Sequence, residues 1–209
     1  MKWIAPFTVG LLLAVGSAQA GTIGDFVKKI ANLYGHHEEP PYEVTRKEPG
    51  YEERIYPPRR WVCTMRESPN SDVMDGMFWR LYKYSTGLND AGALIFMTAP
   101  ITTEYRVLDA TMRQYTMCLY LGEKYQRNPP APEDIAVFIE TRWELVILTR
   151  TVGGYFETGE QWLEEAGKLA AVIESNGESA SLTHHYWAGY DAPLKFWNRR
   201  NEVWFPKRR

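Results

Sequence analysis

Hydrophobic and polar positions along this chain fall into two regimes. Residues 42–46 and 51–56 flank Pro49-Gly50, which reads as a turn between two extended segments. Residues 60–66 form the next strand. Met74, Met77, Phe78 and Leu81 then recur at i, i+3, i+4 and i+7, the stripe of an amphipathic helix. Ser71 or Asp72 is placed to cap it, and Thr86-Gly87 to end it. Residues 94–101 and 111–121 read as two further strands, and in the second Tyr115, Met117, Leu119 and Leu121 share one face.

After the stiff loop Asn128-Pro129-Pro130-Ala131-Pro132 the order recurs. Residues 135–141 and 144–151 read as strands, and Gly153-Gly154 as a turn. Thr158 is placed to cap a helix lined by Trp162, Ala166, Leu169, Ala170 and Ile173, with Gly177 just beyond it. Residues 184–190 and 201–205 are the last strands. Each half reduces to strand-strand-helix-strand-strand. Each also carries a similar peptide beyond its helix, Thr98-Ala99-Pro100-Ile101 and Asp191-Ala192-Pro193-Leu194. The expected fold is therefore α+β and internally duplicated: eight antiparallel strands in a curved or closed sheet, with two helices across it.

The N-terminus stands apart. Lys2, the apolar run 4–16 and Ala18-Gln19-Ala20 form a secretory signal peptide over residues 1–20, with cleavage expected before Gly21. The apolar run is too short for a membrane span of about twenty residues. Residues 21–41 read as an N-terminal arm and 42–209 as one domain. The expected product is secreted, extracellular and monomeric, with no membrane span after cleavage.

Charge narrows the chemistry. The full chain has 24 basic and 26 acidic side chains, too few cations for a protein that neutralises nucleic-acid phosphates. Its 8 Trp, 13 Tyr and 8 Phe exceed what most domains carry. Most belong to core and cross-strand pairs, and a ring-rich groove remains open for the rest. Two cysteines, Cys63 and Cys118, each lie in an apolar strand-like run. They allow one disulfide or two buried thiols. There is no nucleophile elbow, phosphate loop or zinc-protease helix, so no catalytic residue, metal site or enzyme activity is expected. His36-His37 sits in the arm, and His184-His185 begins a strand, where successive side chains point to opposite faces. What remains is a ligand site of apolar surface with charge at its rim, drawn from Met74, Met77, Phe78 and Leu81, with Lys83 just past the stripe and Lys195 with Phe196 in the last loop.

The residues also resemble a known family. Pro-Tyr-Glu-Val at 41–44, Tyr-Glu-Glu-Arg at 51–54, Lys-Tyr-Ser-Thr-Gly-Leu-Asn-Asp at 83–90 and Met-Thr-Ala-Pro-Ile at 97–101 are similar to the SOUL / haem-binding protein family. So are Asn-Pro-Pro-Ala-Pro at 128–132, Gly-Gly-Tyr at 153–155, Gly-Tyr-Asp-Ala-Pro-Leu-Lys at 189–195 and Arg-Arg-Asn-Glu-Val-Trp at 199–204. They come in family order, and within the family they look most like the haem-binding protein 1 branch. The resemblance implies a twisted eight-stranded antiparallel β-barrel with two helices, and binding of haem or another porphyrin without a catalytic step. It implies a groove between the first helix (71–86) and the loop 195–200, with basic residues at its edge. Two family lysines match Lys83 and Lys195; a third basic position corresponds to Asp75. A histidine proposed as iron ligand in another branch corresponds to Ile55. The expected function is a secreted tetrapyrrole carrier or scavenger without a strong axial ligand. The alternative is a non-catalytic protein-interaction or signalling module.

Overall fold

The computed structural model describes residues 37–191, 195 and 197–207. The signal peptide, residues 21–36 of the arm, Phe196 and the peptide 192–194 lie outside the described residues.

Among the described residues, nine strands and two α-helices run in the order β1 (Glu43–Glu48), β2 (Tyr51–Tyr56), β3 (Arg59–Ser68), α1 (Met74–Ser85), β4 (Ile101–Val107), β5 (Arg113–Tyr120), β6 (Val137–Arg142), β7 (Leu145–Val152), α2 (Gly159–Ser175), β8 (His184–Gly189) and β9 (Asn201–Pro206). All strands form one antiparallel sheet in the order β1-β2-β7-β9-β8-β4-β5-β3-β6, curled into a half-barrel. From β2 to β6 that order is a palindrome of the two halves: β2 answers β6, β7 answers β3, β9 answers β5, and β8 meets β4 at the centre. The expected duplication is therefore present as eight strands. The ninth is β1, which pairs only with β2.

One expected strand is displaced. Residues 94–100 form a largely apolar run in which Ile95, Met97 and Ala99 are buried, yet the segment joins no ladder beyond an isolated Thr86–Leu94 bridge. Its amides bond elsewhere: Ile95 N–H donates to Ser85 O (2.8 Å) and Ala99 N–H to Glu38 O (3.0 Å). Pro100 has no N–H to give. The ladder starts at Ile101, where β4 pairs with both β5 and β8.

The two sheet faces differ in chemistry. One face and both helices enclose the main core, with Val62, Met117, Leu119, Leu148, Val203 and Phe205 against Met77, Leu81, Trp162, Ala166, Leu169 and Ile173. Much of the aromatic content is spent here. Trp187 stacks on Tyr105 (5.4 Å) and on Trp162 (5.9 Å), and Phe156 meets Trp162 edge-on at 4.8 Å. The opposite, concave face holds two smaller clusters, Tyr56, Ile147, Tyr186, Tyr190 and Trp204 in one and Trp61, Cys63, Cys118 and Tyr120 in the other. Cys63 and Cys118 face each other across β3 and β5 and are disulfide-bonded, with Cα atoms 4.1 Å apart.

Capping follows the sequence in α2 and departs from it in α1. Gln161 Oε1 accepts from the Thr158 N–H at 3.0 Å, as in a capping box. For α1 the first turn is a 3₁₀ segment, Ser71–Val73, and Asn70 Oδ1 accepts from Asp72 N–H. Ser71 instead accepts from Gly159 N–H at 3.1 Å, tying the starts of the two helices together. Gly87 closes α1 with φ +118°, a value glycine adopts without a side-chain clash, and Leu88 N–H returns to Lys83 O at 2.9 Å. Buried Asn89 then bonds Tyr84 O and Ala93 at 2.9 Å each, and Asp90 accepts from Ala131 N–H at 2.8 Å. These bonds clamp the end of α1 to the proline-rich loop, which gives the segments 83–90 and 128–132 a structural task.

Residues 37–40, read as arm, are docked on the body. Besides the Glu38 contact to Ala99, Glu38 Oε1 accepts from Glu123 N–H at 2.8 Å, and Glu39 pairs with Arg200 at 3.1 Å.

Candidate functional site

Helix α1 splits its expected site residues between two environments. Met77 and Leu81 are each 1% exposed and belong to the core beneath the helix. They offer no surface to a ligand here, because the same stripe that would line a groove is the one that seals α1 onto β3 and β5. Met74 and Phe78 are half-buried at the margin, and Lys83 is exposed in the last turn. There its charge also complements the negative end of the helix dipole.

Beside Phe78, α1 carries two rings that the stripe argument passed over, Trp79 and Tyr82. Phe78 and Tyr82, one turn apart, stack with centroids 6.3 Å apart and planes 18° from parallel. Trp79 stands edge-on to both, at 5.3 and 5.4 Å, and is 40% exposed. Trp79 set edge-on against the Phe78–Tyr82 stack makes an apolar ring cluster, with Lys83 one turn beyond Trp79. Their signal in the sequence was the positions of Trp79 and Tyr82, which lie beside the core stripe and next to Phe78 at its edge.

In the last loop Lys195 is half-buried and its Nζ lies 2.5 Å from Asp191 Oδ1. Arg200 N–H donates to the other Asp191 oxygen at 2.6 Å. Burial works against the charge on Asp191, but these bonds outweigh it and hold its carboxyl below the usual range. Lys195 therefore already has a carboxylate partner, whereas Trp197 beside it is largely exposed. Phe196 lies outside the described residues.

The described histidines are already engaged. His37 Nδ1 lies 2.9 Å from Met97 O, and His184 Nε2 lies 2.6 Å from Glu104 Oε1. His185 is fully buried among Tyr105, Trp187 and Phe205, and its Nε2 accepts from Trp187 Nε1 at 3.0 Å. The pair at 184–185 does point to opposite faces. Ile55 in β2 carries no ligand atom.

Burial, reinforced by His184, pushes the His185 imidazole down to about 4. The unfolded ring takes a proton near pH 6.5, whereas the folded one resists it until about pH 4. Stability from this group is thus complete above pH 6.5 and drains away as the pH falls toward 4. Urea unfolding should show a loss of about 2–3 kcal/mol between pH 7.5 and 4.5. His185→Gln keeps an acceptor for Trp187 without titrating and should flatten that slope; an equally steep slope in the variant would assign it to another group.

Comparison with known proteins agrees with this architecture. The family described as "SOUL heme-binding protein" matches residues 37–206. "Heme-binding protein 2" of Homo sapiens is 35% identical over 161 residues, covering 75% of this chain and 78% of that protein. "Heme-binding protein 1" of Xenopus tropicalis is 32% identical over 160 residues, covering 75% and 83%. "Heme-binding protein 1" of Mus musculus is 27% identical over 183 residues, covering 84% and 96%. Relatives of both names thus fall in one range of identity. Among solved structures, the C-terminal domain of EcmrR superposes with a TM-score of 0.58 at 12% identity, over 80% of this chain and 98% of that one, a likeness of fold alone. With the family matched over all but the two ends of the chain, this protein belongs to the SOUL haem-binding protein family.

Proposed function

We propose that the chain binds a tetrapyrrole, haem or a metal-free porphyrin, and acts as a secreted carrier or scavenger rather than as an enzyme. The family match over residues 37–206 carries this reading. The ring surface of Phe78, Trp79 and Tyr82 with Lys83 supports its placement on the outer side of α1. A porphyrin is a flat apolar disc with anionic propionates. Covering the disc gains roughly 25 cal/mol per Å² before ordering costs. Lys83 would pair with a propionate at the rim and Met74 would adapt to the ring edge; Lys195 would join only by releasing Asp191. Haem itself brings an iron that can accept an axial ligand. On α1 this chain supplies the ring surface and the rim cation.

Export rests on the Lys2, apolar-run and Ala-Gln-Ala pattern of residues 1–20. The Cys63–Cys118 bond supports it, since disulfides persist mainly in oxidising compartments. Protein collected from culture medium should start at Gly21; an intact Met1 would remove the export reading.

Haem and metal-free protoporphyrin, titrated while following Trp quenching, should saturate with similar affinity. Because desolvation of the ring dominates, the two dissociation constants should agree within about tenfold, or about 1.4 kcal/mol. No saturation by either ring below about 10 μM would refute the proposal. A preference for haem beyond about a hundredfold would show that an iron ligand does most of the binding.

A further inference from the structure

Helix α1 carries its charges in an order that bears on how a ring lies against it. Asp75 stands in the first turn and Lys83 in the last, and both are exposed. Phe78, Trp79 and Tyr82 lie between them. Asp75 precedes Phe78 and Trp79 by three and four positions, and Lys83 follows Trp79 by four, the spacings at which helix side chains are neighbours. Along this stretch of the helix the order is acid, rings, cation. Eight positions separate the two charges, a rise of about 12 Å along the axis, comparable to the width of a porphyrin macrocycle.

Neighbouring groups sharpen this polarity. Asp72, in the 3₁₀ turn before α1, is exposed. The bond from Gly159 N–H to Ser71 ties the starts of the two helices together, and Glu160 stands exposed in the first turn of α2. Both acids act on one buried group: burial, with Tyr105 beside it, raises the Tyr115 phenol to about 12, and the charges of Glu160 and Asp72 add to the rise. At the other end Asp90 accepts from Ala131 N–H at 2.8 Å, as part of the clamp on the proline-rich loop. The helix dipole favours an acid in the first turn and a cation in the last. The charges that suit α1 thus also give its ring cluster a negative end and a positive end.

Resting on the tetrapyrrole reading above, we propose that Asp75 and Lys83 select the ring by where its carboxylates stand: α1 takes a porphyrin whose carboxylates share one edge, seated at Lys83, and disfavours one that carries them on opposite edges. A ring with both propionates on one side places them at Lys83 and turns its uncharged side to Asp75. With propionates on opposite sides, seating one at Lys83 brings the other to Asp75. A quarter turn in the plane of the ring relieves that contact only by taking both propionates away from Lys83. Two carboxylates about 5 Å apart in water disfavour each other by a factor of about four. The apolar area of the ring is the same in both cases, so the difference isolates the arrangement of charge.

Metal-free mesoporphyrin isomers of identical composition supply the test, one with its propionates on adjacent pyrroles and one with them on opposite pyrroles. Followed by Trp quenching at low ionic strength, the same-edge isomer should bind about fourfold tighter or more. Asp75→Asn should bring the opposite-edge isomer to within about twofold of the other, and leave the same-edge isomer unchanged, in a chain whose Tm matches wild type. Lys83→Gln should narrow the gap from the other side, by weakening the same-edge isomer. Equal affinity for the two isomers in the wild-type chain, or an unchanged gap in Asp75→Asn, would overturn the proposal while leaving tetrapyrrole binding intact. Saturation by neither isomer would overturn the tetrapyrrole reading and this inference with it, so the two failures are distinguishable.

Discussion

Glu202→Ala should cost about 3–5 kcal/mol of folding stability in urea denaturation. Glu202 is fully buried on the concave face. It accepts from both Arg54 terminal nitrogens (2.9 and 3.2 Å), from Arg200 (2.8 Å), from Tyr190 Oη (2.8 Å) and from Trp204 Nε1 (2.8 Å). Burial opposes its charge, but Arg54 and Arg200 hold its carboxyl below the usual range. Without Glu202, Arg54 is left as a buried cation beside a hydroxyl and the half-buried Glu52. Arg54→Met should cost less, because Arg200 still compensates the carboxylate. The two variants therefore separate breaking a charge pair from stranding a charge. Equal losses, or a loss under about 1 kcal/mol for Glu202→Ala, would mean that solvent reaches the network.

The second large effect belongs to the disulfide. Cys63 and Cys118 are 55 residues apart in sequence and enclose α1 and β4. Closing a loop of that length in the unfolded chain is worth about 4 kcal/mol in the chain-entropy account. Cys63→Ala with Cys118→Ala should therefore lower Tm by roughly 10 °C in a domain of this size. Reduction of the wild-type protein should approach the same value in differential scanning calorimetry. A shift under about 2 °C would mean that the unfolded chain is already held together in this region.

Much of the fold was legible because its period was strong. Tyr115, Met117 and Leu119 alternate on β5 and enter one core, and the stripes of both helices pack as their spacing required. The repeated order of elements became the palindrome of the sheet. The segment 94–100 misled because a short buried apolar run is shared by strands and by extended coil; only the destination of its amides separates them. β1 was visible as an extended segment but not as an addition to the duplication, which depends on pairing.

The site was less legible for a related reason. Met77 and Leu81 have the spacing of a groove and of a core stripe alike, and the packing of α1 decides between them. Trp79 and Tyr82 could have been marked as rings lying off that stripe. Nothing local marks Arg54 and Glu202, which are 148 positions apart.

The central claim is that ring surface on α1, not an iron ligand, holds the tetrapyrrole. A porphyrin titration of Trp79→Ala combined with Lys83→Ala, on a chain whose Tm matches wild type, tests it most directly. The account predicts that affinity for metal-free protoporphyrin and for haem falls together, by about tenfold or more, or about 1.4 kcal/mol. Undiminished binding of both rings would contradict it and place the macrocycle elsewhere on the protein.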